Sequence, residues 1–402
     1  MEQAYEETTP QENKIKVSDI LIDDGRPDPS LSPLKDIQRV YGEEDRNLMP
    51  RRLLPSRPEG GSPAMKSATA RFLNDSRALN ISTREILITR GGRMPLYLAA
   101  SVLIATGEAV ALSSHSDALT TEIFEHAGAE ILRLRADENG IDPDHLKEFL
   151  AQGTIKALYI VPHCQYPTTS VLSSERRMKL LELMNQYNFW IIEDDFGYDF
   201  HYKNSPILPI ASAAHNGKLI YIGNFDRIVS SALRIGFLVA PPEIIRQGVI
   251  LQRLIDQHGD IHLEQMLLKM MDNGGIERHI MRSKKIYAQR CELFCNMLQE
   301  KLGHIITFER PRAGLSVYIR FEDSFSMNRL ITGCSRMGLY FSGETYQDCK
   351  NGTENRMVFG FAALRLKELE QAVDIMVKVI AEIYPASRMF RVNKMSISAI
   401  SA

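Results

Sequence analysis

The chain has 402 residues, 44% apolar and 24% charged, with 48 basic side chains against 50 acidic ones for a net charge of -2. A chain of this length can bury a large core spread over two sub-domains, and its even charge balance excludes the bulk basicity of a nucleic-acid binder. The longest apolar run, LYLAASVLIA at 96–105, falls well short of the roughly 20 residues a spanning helix needs, which excludes a helical membrane protein. No signal peptide is recognisable, and the five cysteines are odd in number and scattered, as suits a reducing cytoplasm. Cys291 and Cys295 lie four apart on a predicted helix and read as packing positions, with a shared metal ion as the other reading.

Residues 1–19 are polar, with Glu2, Glu6, Glu7 and Glu12, and are expected to form a disordered leader. An N-terminal arm follows over 20–60, ending in a segment, PRRLLPSRPEGGSP at 50–63, that Pro and Gly punctuate as a loop. A helix is predicted from about Ala64 to Leu79. From residue 85 strands and helices alternate: EILIT, a helix over 92–105, AVALS, a helix over 117–127, EILRL, a helix over 143–151, ALYIV, a helix over 173–187, and FWIIED. Such alternation predicts an α/β domain, here 61–300, with a mostly parallel sheet covered by helices on both faces.

Two further apolar runs, LIYIG and IGFLVA, bracket a polar segment in KLIYIGNFDRIVSSALRIGFLVA at 218–240, which carries Asn224, Asp226, Arg227, Ser230, Ser231 and Arg234. A long helical region then runs to about 303 and contains GGIERHIMRSKKIYAQR at 274–290. Residues 301–385 mix short strands (IITFE, LSVYIRF, RMVFGF) with helices at 325–337 and 365–381, a smaller α+β domain, and 386–402 form a tail.

The 218–240 segment resembles the lysine segment of class I/II pyridoxal-phosphate (PLP) aminotransferases, and most specifically the aminotransferase-like half of MocR-type GntR regulators. Those read roughly Y-I-G-T-F-S-K-x-L-x-P-A-L-R-L-G-Y-L. The resemblance extends to GRPDPSL near residue 25, EDDFGYDF at 193–200 and the helix bearing Arg278, His279, Arg282, Tyr287 and Arg290. It covers about residues 21–383 and implies the PLP-dependent transferase fold and a homodimer. The winged-helix DNA-binding domain of such regulators has no counterpart here, so no nucleic-acid binding by this chain alone is expected.

The family's Ser-Lys pair has become Asp226-Arg227. A lysine amine condenses with the cofactor aldehyde because it can be neutral near pH 7; a guanidinium, with a pKa above about 12, neither condenses nor takes a proton. Other departures fall on the same implied pocket. Gly91 and Gly92 open a helix whose N–H groups suit a phosphate, but Gly92 and Arg93 replace a hydroxyl residue and a glutamine of the family; Arg93 reads as an added anion ligand or as a solvent-facing side chain. SSHSDAL at 113–119 lacks the tyrosine that stacks on the ring, leaving only His115 with a flat face. In PHCQYPTTS, Gln165 fits the family's turn while Thr169 stands at a glycine position that favours φ > 0. Asp194 fits the carboxylate that pairs with the pyridine nitrogen, or else caps a turn. Phe196 replaces a tyrosine that donates to the ring hydroxyl. Asp226 sets a carboxylate beside the phosphate position, a repulsion on the order of 1 to 4 kcal/mol. Arg234 matches a phosphate- or carboxylate-binding arginine, and Arg356 the one that grips a substrate carboxylate.

Together these imply a catalytically impaired relative that binds a small amino-acid-like ligand or a partner, with PLP held non-covalently at best. The alternative is an active aminotransferase with an unusual base.

Overall fold

The computed structural model describes residues 19–33, 59–202, 207–230, 233–256, 259–322, 325–342, 346–347 and 355–384. The expected leader up to residue 18, most of the arm, Ser231 and the expected tail lie outside the described residues. The chain divides into two compact units, one comprising 27–286 with 312–314, the other 1–26, 287–311 and 315–402. The division falls inside the long helix Gly275–Leu302.

The larger unit is built on a seven-stranded sheet. Its order across the sheet is Ile86–Thr89, Gly236–Val239, Leu219–Asn224, Trp190–Asp194, Ala157–Ile160, Ala109–Ser113 and Glu130–Leu134. Gly236–Val239 runs antiparallel to both its neighbours and the remaining pairs are parallel. The strands are aliphatic along their length because both faces are covered, and their period of two sorts each strand between two cores. Ile86, Ile88, Leu158, Ile160, Tyr221 and Phe237 join one core with Met65, Phe72, Leu146 and Leu180 from helices. Leu87, Tyr159, Ile192, Ile220, Ile222 and Leu238 join the other, with Leu96, Leu98, Phe124 and Ile245. The helices of the first layer include Pro63–Arg77, Pro143–Gln152 and Ser174–Tyr187; those of the second are Arg93–Leu103, Ala118–His126 and Pro242–Ile255. N-caps set their starts: Ser62, Asp117, Asp142 and Ser173 each accept a backbone N–H of the first turn.

The helical region after 241 consists of three helices. Pro242–Ile255 ends before Asp260, which caps Ile261–Asp272, and Gly274 at φ 69° separates that helix from Gly275–Leu302. On the last, His279 contacts the Ile228 carbonyl at 2.9 Å and is buried, while Arg278 and Arg282 are exposed, so the basic helix is only partly a solvated face.

In the smaller unit a four-stranded antiparallel sheet runs Ile306–Phe308, Ser316–Phe321, Arg356–Gly360, Tyr346–Gln347. A short strand not foreseen from sequence, Ile20–Ile22, pairs parallel with Leu339–Phe341. Cys291 and Cys295 are buried on their helix, and no group of three or more metal-ligating side chains occurs among the described residues. No helix among them is long and apolar enough to cross a membrane.

Candidate functional site

Three parallel strands of the larger unit deliver their carboxyl ends to one edge of the sheet, where ligands of open α/β sheets bind. Ile86–Thr89 ends in the Gly91–Gly92 turn, Trp190–Asp194 in Asp195 and Phe196, and Leu219–Asn224 in Asp226 and Arg227.

The turn has reasons to be glycine. Gly91 sits at φ 70°, its N–H donating to the Arg234 carbonyl at 3.0 Å. At Gly92, the N-cap of Arg93–Leu103, a Cβ would lie 2.4 Å from Asn224 Nδ2. The Arg234 side chain packs on Gly91, its Nε and Nη2 each 3.3 Å from where a Cβ would stand, and Asp226 Oδ2 is 3.4 Å from the same point. Asp226 accepts the Ile235 N–H at 3.2 Å through Oδ1 and also feels the nearby Gly92 N–H at the start of the helix. Burial pushes its carboxyl up to about 7, against those N–H groups and the Arg234 and Arg227 charges that hold it down. So Gly91, Gly92, Asn224, Asp226 and Arg234 come together as one cup.

Arg93 turns elsewhere. Its Nη2 is 3.2 Å from Asp117 Oδ1 and its Nη1 donates to Thr120 Oγ1 at 3.2 Å, so it ties the start of its helix to the start of Ala118–His126. Neither Asp117 nor Thr120 was singled out in the sequence. His115 is half-buried, its N–H on Ser113 Oγ at 3.2 Å.

Asp194 accepts two hydrogen bonds, from the Tyr159 hydroxyl at 3.0 Å and the Phe196 N–H at 3.0 Å, while burial raises its pKa. It thus holds a turn, the second of its two readings, and is a half-buried strand-end carboxylate near the Arg93 charge. Phe196 offers its ring to Arg227, whose guanidinium carbon is 5.4 Å from the ring centroid, a cation–π distance. These two residues line a small cleft of about 20 Å³ with Asp195, Asp199, Asn224 and Ile228. Cys164 is wholly buried and feels the Arg227 charge, yet burial pushes its thiol up to about 12, so it is no nucleophile at neutral pH. Gln165 is buried in its turn, its side chain on the Tyr166 carbonyl at 3.0 Å; Thr169 adopts φ 59°, the left-handed geometry for which glycine is the cheaper residue. Arg356 opens the strand Arg356–Gly360 of the smaller unit, opposite Arg320 in register.

Behind the cleft lies a group that the sequence did not disclose. Arg77 is fully buried, its Nη2 2.8 Å from Asp195 Oδ2 and 2.5 Å from Asp199 Oδ2, its guanidinium carbon 4.2 Å from the Tyr198 ring. Tyr221 donates to the other Asp195 oxygen. The only sequence cue was an arginine on the apolar face of an amphipathic helix, spaced with Leu73.

The architecture is the PLP-dependent transferase fold. It matches an archaeal alanine:glyoxylate aminotransferase with a TM-score of 0.83, at 24% identity over 91% of both chains. It matches the α-aminoadipate aminotransferase of Thermus thermophilus, complexed with N-(5'-phosphopyridoxyl)-L-leucine, with a TM-score of 0.82 at 21% identity over 90% of this chain and 92% of that one. At such identities these likenesses concern the fold. The family follows from the sequence match: the model of aminotransferase class I and II covers residues 32–375, and the chain belongs to that family. Its relatives include both enzymes and regulators. Aromatic-amino-acid aminotransferase 1 of Thermococcus litoralis is 23% identical over 375 residues, 92% of this chain and 89% of that protein. The probable rhizopine catabolism regulatory protein MocR of Rhizobium meliloti is 23% identical over 317 residues, 78% of this chain but 63% of that protein.

The donor set does not fit the family's cofactor. Asp194 is available to a pyridine nitrogen, but position 227 offers a guanidinium for an aldehyde, Phe196 offers no donor to a ring oxygen, and the Asp226 carboxylate stands against the Gly91–Gly92 turn that would meet a phosphate.

Proposed function

We infer that this chain is a catalytically silent member of its family, a homodimeric domain that binds a small amino-acid-like ligand or a partner and holds PLP, if at all, without a covalent bond. One observation carries the reading: Arg227, where the resemblance requires a lysine, has its guanidinium over the Phe196 ring. A permanently charged group cannot form the imine on which transamination depends, and its aromatic partner stands where a hydrogen-bond donor would be needed. The second strand of support is that the remaining departures, at Asp226, Phe196 and 113–119, fall on positions that the resemblance assigns to one pocket.

The test is direct. Purified protein incubated with PLP and reduced with borohydride should show no visible absorbance beyond free cofactor and no modified peptide by mass spectrometry. A pyridoxyl-lysine at any position in the pocket would overturn the reading in favour of an active aminotransferase with a different base.

A further inference from the structure

The mismatch with the cofactor has a specific origin in the cup. A phosphate received there would need the Gly92 N–H at the start of Arg93–Leu103, the open face of Gly91, and the Arg234 charge. Asp226 already stands among them: it accepts from Ile235, feels the Gly92 N–H, lies against Gly91 beside the Arg234 guanidinium, and has the charges of Arg234 and Arg227 facing it. We propose that Asp226 is the resident anion of this cup, its carboxylate standing in for the family's cofactor phosphate and closing the pocket to phosphate monoesters at neutral and higher pH. Two like charges cannot share one set of donors: an incoming dianion must displace the carboxylate or wait for it to take a proton.

The surroundings of Asp226 make the exchange proton-linked. Arg227 lies on its own loop, Arg234 just before Gly236–Val239, and Asn224 ends Leu219–Asn224; Arg93, the nearest charge of the helix, is engaged with Asp117. Burial leaves the carboxyl with a pKa of about 7. Below that pH it is neutral and tolerates an anion; above it the negative charge is restored and the anion is rejected.

The inference rests on the reading of a pocket that has left the family's chemistry, but on a different atom from the missing amine, so the two can fail separately. Pyridoxamine 5'-phosphate, which has no aldehyde, and sulfate, whose charge is constant over the range, are the probes, titrated calorimetrically into wild type, Asp226→Asn and Asp226→Ser. At pH 8 both variants should bind both probes at least about tenfold more tightly than wild type, a factor set by removing one charge at contact distance. Between pH 7 and 8 wild-type affinity for sulfate should fall by about fivefold, while that of Asp226→Asn stays flat. Adding Arg234→Ala to Asp226→Asn should abolish the gain, which locates it in the cup. Wild-type affinity at pH 8 equal to that of the variants, variants that remain indifferent to both probes, or a gain that survives Arg234→Ala would each overturn the proposal. Asp226→Asn is nearly isosteric, and a cooperative melt for it or for Asp226→Ser establishes that the fold is intact.

Discussion

Replacing Arg77 by methionine should cost more stability than any other single change in the larger unit that spares the apolar core. The side chain is fully buried and its three closest acidic contacts, at 2.5, 2.8 and 2.9 Å, go to Asp195 and Asp199. Methionine restores much of the volume but leaves two buried carboxylates with Tyr221 as the remaining side-chain donor to Asp195. Breaking a buried pair by removing one partner costs about 3–5 kcal/mol, because the other charge stays out of water unpaired. The pH dependence separates this from lost packing. Burial already holds the Asp195 carboxyl up at about 6 with Arg77 in place, and without the arginine it rises further. A carboxyl raised in the folded state binds protons that the unfolded chain does not, so acidification favours the folded form; the deficit of Arg77→Met should be largest at pH 8 and shrink toward pH 5. Urea unfolding of wild type, Arg77→Met and Arg77→Lys at both pH values reads this. A deficit below about 1 kcal/mol, or one equal at pH 5 and pH 8, would refute the ion-pair account.

Arg227→Lys alone should leave amino-acid turnover near background, because Phe196, Asp226 and residues 113–119 still hold the ring poorly and errors of about 1 Å cost on the order of 100-fold; turnover should appear only when Asp226→Ser, Phe196→Tyr and an aromatic at 116 or 117 are added, as read by coupled assay and borohydride trapping. Thr169→Gly should stabilise by up to about 1 kcal/mol, since its φ of 59° penalises a side chain more than glycine's extra unfolded freedom costs; a lower melting point would refute the strain. His201 is buried with Nε2 unpartnered among the described residues, and burial lowers its pKa to about 4, so between pH 6.5 and 4 the unfolded chain takes a proton that the folded one refuses. Stability from this group is therefore lost on acidification, and His201→Phe should gain about 2–3 kcal/mol relative to wild type between pH 7 and 4.5 in urea titrations.

What the sequence determined by itself was whatever depends on residue identity or on local periodicity. Runs such as EILIT, AVALS and FWIIED announced buried strands, and their alternation with amphipathic helices required a mostly parallel sheet covered on both faces; the helix bounds moved by a residue or two, their starts set by caps such as Ser62 and Asp117. An arginine that cannot lose its proton, a phenylalanine without a hydroxyl and a loop without a tyrosine were equally plain in one dimension, since each is a statement about what a side chain is. Tertiary structure alone decided where charges settle. Arg77 meets partners 118 and 122 residues away, Arg93 chooses Asp117 over the cup, Tyr159 reaches Asp194, and Asp226 takes the Ile235 N–H beside Gly91. Those pairings depend on strand order and register, which bring distant positions to one sheet edge, and on desolvation there, which fixes each charge on whichever donor or partner is buried with it.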